Sequence, residues 1–125
     1  MNLNPLLLPE VSEYLRDHCV RSHSIAEALF QYTQQHVAYS QWLTTPEQVQ
    51  FLAMMVETLA ATRIIEVGVY TGHATLVMAD AMGPQGHLIA CDKSQQWLVT
   101  GQPFWQQAGV ADRIELRIAP AVETL

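Results

Sequence analysis

Glu66, Gly68, Gly72 and Asp92 are the residues whose types and spacing carry chemistry in this 125-residue chain. They lie in Glu66-Val67-Gly68-Val69-Tyr70-Thr71-Gly72 and, twenty residues beyond Gly72, at the end of Leu88-Ile89-Ala90-Cys91-Asp92. An apolar strand, a glycine-bearing turn, a helix and a second strand ending in an acid form the unit with which an open parallel sheet holds a ribose. The amides of the turn and the helix N-terminus behind it offer donors to a carboxylate. The same glycines also suit an ordinary strand-to-helix turn that needs positive φ. Glu66 ends a buried strand, where an unpaired carboxylate is costly. It either accepts from the turn amides, holds an amino group of the ligand, or is structural. Asp92 suits two ribose hydroxyls, or else starts the next helix.

Tyr70 stands where a G-x-G-x-x-G site has its second glycine, and a bulky residue there blocks close approach of the backbone to a pyrophosphate. That argues against half of a nicotinamide-dependent dehydrogenase. S-adenosylmethionine, which has no pyrophosphate, is the leading candidate cofactor. Trp97, one turn into the following helix, either covers an adenine or packs the helix on the sheet. Phe104 and Trp105 lie further along that helix. His73, inside the glycine loop, touches the ligand or packs the loop. Cys91 points away from Asp92 and reads as core. His18, His23, His36, His73 and His87 show no ligand spacing, and no Ser/His/Asp or Cys/His nucleophilic set assembles.

The elements that must position these residues are legible in the periodicity. Val11, Tyr14, Leu15 and Cys19 define a first short helix. Ile25, Ala28, Leu29, Tyr32 and His36 share one face of a second, from Ser24 to about Ala38. Thr45-Pro46-Glu47-Gln48 opens a third with an N-cap, a proline at the first turn and a capping box. Its apolar face is Val49, Leu52, Ala53, Val56, Leu59 and Ala60. Arg63–Val67 reads as a strand covered on both faces. Gly72–Met82 reads as a helix stopped by Gly83-Pro84, and Leu88–Cys91 as the second strand. Ser94 caps a helix to about Ala108 that Pro103 should kink or divide. Ile114–Ile118 alternates like an edge strand with one wet face. The order ααα-βαβαβ with right-handed crossovers gives an α/β fold, a parallel sheet in order 3-2-1. It divides into an N-terminal helical segment, 1–62, and the first half of a Rossmann-like cofactor domain, 63–125.

Half the residues are apolar and 14% are charged, a globular composition that buries about two-thirds of its unfolded surface. Twelve acids against six bases, a net charge of −6 without a basic cluster, exclude nucleic acid as the expected partner. The first ten residues lack the charge pattern of a signal peptide, and no run is long enough to span a membrane. Cys19 and Cys91 are then expected as reduced thiols, and the cytoplasm as the compartment.

Four stretches, Thr44–Leu52, Ile65–Gly72, Ile89–Asp92 and Ala108–Ile114, together with the tail Ala119–Leu125, resemble the caffeoyl-CoA and catechol type of O-methyltransferases. The resemblance runs from about Tyr14 to Leu125. It implies a truncated class I methyltransferase fold, S-adenosylmethionine as cofactor and a divalent metal. It implies cofactor contacts at Thr44, Glu66, Gly68, Val69, Tyr70, Gly72, Ala74, Asp92 and Trp97, and backbone at Ala121 beside the adenine. The sequence departs from the usual pattern at Trp42 (often Met), Ala74 (often Ser), Val49 and Ala119 (both usually Gly). The resemblance further implies a homodimer and a small hydroxylated, catechol-like or phenolic acceptor. The family's metal ligands and catalytic lysine fall after the last residue of this chain, which is expected to carry the cofactor half and to be inactive alone. The competing expectation is a non-enzymatic fragment that self-associates through an unpaired sheet edge.

Overall fold

The computed structural model describes residues 6–21 and 23–125; residues 1–5, on which the expected lack of an export signal partly rests, lie outside them. The described elements are α1 (Pro9–Cys19), α2 (Ser24–His36), α3 (Pro46–Thr58), β1 (Arg63–Val67), α4 (His73–Ala81), β2 (His87–Asp92), α5 (Leu98–Gln107), β3 (Ile114–Ile118) and α6 (Ala121–Thr124). Short 3-10 turns occupy Ser40–Trp42 and Ala111–Arg113. The strands are parallel, with β2 between β1 and β3, the expected 3-2-1 order.

Register determines which face is buried. Ile64 stands beside Leu88 and Leu88 beside Ile114; Glu66 stands beside Ala90 and Ala90 beside Leu116. The apolar members of this face join Leu76 and Ala79 of α4 and Leu98 and Trp105 of α5 in one core. Helices α2 and α3 pack in turn on α4 and α5. The opposite face is open at β1, where Ile65 is 58% and Val67 65% exposed. The strand is therefore not covered on both faces as its unbroken apolar run predicts. Right-handed crossovers put α4 and α5 on the same side of the sheet, and α6 reaches the other side near Cys91.

The helix caps follow sequence chemistry more closely than the buried stripes do. Thr45 accepts from the Gln48 amide at 3.4 Å and Pro46 opens α3, as expected. On α2, however, the buried stripe is Ala26, Leu29, Phe30 and Thr33, while Ala28 and Tyr32 face solvent. A buried threonine turns the helix because its hydroxyl is satisfied: it donates to the Leu29 carbonyl at 2.8 Å and shares a hydrogen bond with the Thr71 hydroxyl at 3.1 Å. On α1 the buried residue is Ser12, and Val11 and Tyr14 are exposed. Helix α5 starts at Leu98 rather than near Ser94. The Asp92 Oδ1 accepts from the Ser94 amide and Ser94 Oγ from the Gln96 amide, local bonds that compete with helix. Pro103 lies inside α5 and does not divide it. The exposed, charged face of β3 carries Glu115, which accepts from Arg117 Nε at 2.8 Å and pairs with His87 at 2.9 Å.

Helix α5 touches the β1–α4 turn so closely that two glycines are required. A Cβ on Gly101 would lie 1.9 Å from the Thr71 carbonyl oxygen, and one on Gly72 2.2 Å from the Trp105 ring. Trp105 completes the contact by donating its indole N–H to the Gly72 carbonyl at 3.0 Å. Helix propensity alone makes Gly101→Ala stabilising by about 0.5–1 kcal/mol. The backbone contact reverses that sign, and urea unfolding should show a loss of about 2 kcal/mol or more; a stabilised variant would refute the close approach.

Candidate cofactor site

The chain leaves β1 at Val67 and passes through Gly68 (φ 88), Tyr70 (φ 56) and Gly72 (φ 79) into α4. Tyr70 adopts a left-handed backbone that side chains resist by about 1–2 kcal/mol. Its hydroxyl donates to the Ala38 carbonyl, and its ring meets Trp42 and Trp97 at centroid distances of 5.7 Å each. Burial raises its phenol pKa. The position that lacks the expected glycine thus keeps a glycine-like conformation, held by contacts a glycine would not make.

Asp92 takes the turn amides that the sequence offered to Glu66. Its Oδ2 accepts from the Val69 and Tyr70 amides at 2.9 and 3.1 Å, and its Oδ1 from Ser94 at 3.0 Å. Burial pushes the carboxyl pKa up, but the backbone donors of Val69, Ser94, Tyr70 and Lys93 outweigh it and leave it below the ordinary value. Two oxygens present about four acceptor positions, and Oδ2 has both of its own filled. Oδ1 accepts from the Ser94 amide, and Asp92 also lines the cleft described below.

Glu66 instead accepts from the Thr75 hydroxyl of α4 at 2.6 Å. Burial raises its pKa from 4.5 to about 7; the Thr75 bond opposes this and the Asp92 charge adds to it. His73 packs 5.2 Å from the Phe30 ring and lies 3.3 Å from the Thr44 carbonyl. Burial lowers its pKa to about 4, so the imidazole is neutral at physiological pH. It packs within the loop and, with Thr44, lines the niche described below.

The sequence-derived residues converge on two adjoining openings. A cleft of about 770 Å³ is lined by Gly68, Tyr70, Asp92, Trp97 and Ala121, with Tyr39, Trp42, Cys91 and Pro120 among its other walls. A niche of about 50 Å³ beside it is lined by Thr44, Glu66, Gly68, Val69, Tyr70 and Ala74. Gly72 lines neither; it supports the turn from behind through Trp105. Sequence reasoning missed Tyr39 as a wall, because its place depends on an unforeseen left-handed residue (φ 65) before the Ser40–Trp42 turn. Cys91 is buried and a free thiol, its Sγ 3.7 Å from Thr124 Oγ1. Among the described residues no three His, Cys, Asp or Glu side chains are grouped to hold a metal, and no helix is long and apolar enough to cross a membrane.

A parallel 3-2-1 sheet with an acid at the β2 tip and a glycine turn after β1 is the arrangement of a Rossmann-like fold. The family model described as O-methyltransferase matches residues 16–125, and the chain belongs to that family. A probable caffeoyl-CoA O-methyltransferase of Dictyostelium discoideum is 36% identical over 92% of this chain and 50% of its own length. The catechol O-methyltransferase domain-containing protein 1 of Mus musculus is 31% identical over 96% of the chain and 47% of its own. The cofactor-bound Rv0187 from MTB superposes with a TM-score of 0.82 at 26% identity, over 93% of this chain and 53% of that one. The chain spans about half the length of the curated relatives it matches.

The Glu66 carboxyl makes stability depend on pH. With a pKa near 7 folded and 4.5 unfolded, the folded state binds the extra proton between those values, so stability falls as pH rises from about 4.5 to 7. Glu66→Gln should remove that slope and be more stable than the parent at pH 8 by about 1–3 kcal/mol. Parallel pH profiles of the two proteins in urea would show the prediction wrong.

Proposed function

We propose that this chain binds S-adenosylmethionine across the cleft and the niche and forms the cofactor half of an O-methyltransferase. The observation that carries this is the convergence of nine of the ten sequence-derived residues on two openings that share Trp42, Gly68 and Tyr70. The nucleoside fits the cleft, with Asp92 accepting from the ribose hydroxyls, Trp97 beside the base and the Ala121 backbone at its edge. The amino-acid end fits the niche, where ionised Glu66 attracts the ammonium group. Bound there, the cofactor supplies a methyl on an electrophilic sulfonium. A hydroxyl oxygen attacks that methyl in line, the C–S bond breaks toward the thioether product, and the hydroxyl proton leaves to a base.

A catechol-like or other small phenolic hydroxyl is the acceptor class in this reading, supported by the caffeoyl-CoA and catechol relatives. A divalent metal would assist by lowering the acceptor's pKa, though no cluster among the described residues would hold it; residues 63–125 are the first half of the cofactor domain in this reading. The described helices α1, α2 and α3 of the segment 1–62 form its helical cover. Cytoplasmic location, homodimerisation and inactivity of the chain alone belong to the same proposal. A second reading has one observation behind it: β1 has no partner on its outer edge among the described strands and exposes Ile65 and Val67, which suits self-association. A monomer in sedimentation at high concentration would count against it.

Calorimetric titration with S-adenosylhomocysteine tests the main proposal. Micromolar affinity is expected, falling at least tenfold in Asp92→Ala, which loses the ribose acceptor and the brace of the turn. Affinity should also rise from pH 6 to 8 as Glu66 ionises through about 7, and Glu66→Gln should flatten that rise. Absence of binding by the folded chain would end the proposal.

A further inference from the structure

Trp42, Gly68 and Tyr70 line both the cleft and the niche, so they mark where the two openings join. Gly68 offers only backbone there; the side chains at the junction are two aromatic rings. A ligand with its nucleoside in the cleft and its amino acid in the niche must thread its connecting atoms past them. In the cofactor proposed above, the connecting atom is a sulfonium with a full positive charge. In the demethylated product it is a neutral thioether.

Trp42 is fitted to tell these apart. It is 57% exposed, a large apolar surface left to water beside a cleft. Its orientation is fixed by Tyr39, stacked on it at 4.5 Å and 10°, and by Tyr70, edge-on at 5.7 Å and 75°. A cation over an indole face gains electrostatic energy that a neutral sulfur does not, and Trp is the strongest of the aromatic residues in this respect. The charged surroundings agree in sign. Glu66 and Asp92 line the openings, His73 is neutral, and Lys93 is the one basic side chain lining them among the described residues.

We propose that Trp42 reads the charge of the connecting atom, favouring the sulfonium cofactor over its thioether product at a single site. This rests on the binding reading given above. The carboxylates attract the sulfonium as well, so the share of Trp42 lies in how the ratio of the two affinities changes when only the indole is altered. Tyr39 contributes as a positioning residue, through the stack.

The test is calorimetric titration of the whole chain, and of Trp42→Phe and Trp42→Leu, with S-adenosylmethionine and S-adenosylhomocysteine separately. Trp42→Leu should weaken the methylated form roughly three- to tenfold more than the demethylated one. Trp42→Phe, which keeps a weaker π face, should fall between. Circular dichroism and urea midpoints close to the parent's would show that both variants fold. Equal weakening of both ligands, or an unchanged ratio, overturns the proposal and assigns Trp42 to packing alone. Failure of the parent chain to bind either ligand overturns the binding reading itself, and is distinguishable because no ratio then exists.

Discussion

The carboxylate of Asp92 is the brace on which the site depends. It reaches from the tip of β2 to the β1–α4 turn and takes the amides of Val69 and Tyr70. Those amides follow a strand end and precede a helix, so neither element supplies them with acceptors. Without Asp92, the left-handed backbone of Tyr70 would have less to hold it, and with it the ring at the junction of the two openings. One side chain therefore joins parallel strand pairing to ligand geometry. Register delivers Asp92 to the right height because Val67 pairs with Cys91, leaving Asp92 one residue beyond the strand β1 has just finished.

The turn is fixed from behind as well. Trp105 holds the Gly72 carbonyl, Gly101 lets α5 lie against Thr71, and the Thr71 hydroxyl meets Thr33 of α2. Tyr70 bonds to Ala38 in the segment that follows α2. The cofactor turn is thus packed between the sheet and the N-terminal helices, and its shape belongs to both. Burial around it has a chemical effect, raising the pKa of Glu66 and lowering that of His73, so neighbouring groups a few residues apart titrate in opposite directions from their usual values.

Strand order, the glycine turn and the cap of α3 were legible in the sequence because each is set by local residue types: Gly68 and Gly72 at positive φ, Thr45 before Pro46, Asp92 at a strand tip. The buried stripe of α2 was not, because Thr33 is polar by type and one of the two groups that meet its hydroxyl, Thr71, lies 38 positions away. The start of α5 was misjudged for a related reason: Ser94 looks like a helix cap but spends its bonds in a local turn. The division of labour between Glu66 and Asp92 was also hidden. Both are acids at strand ends, and only the paired register decides which one meets the turn amides and which one meets Thr75.

The three tryptophans occupy three different surroundings. Trp105 is buried with its indole N–H bonded to a carbonyl, Trp97 is half-covered at the cleft, and Trp42 faces water. Indole emission shifts to the blue as its surroundings lose water, so the chain carries an internal optical scale. Trp105 reports whether α5 still grips the turn, while Trp42 and Trp97 report what enters the cleft in front of it.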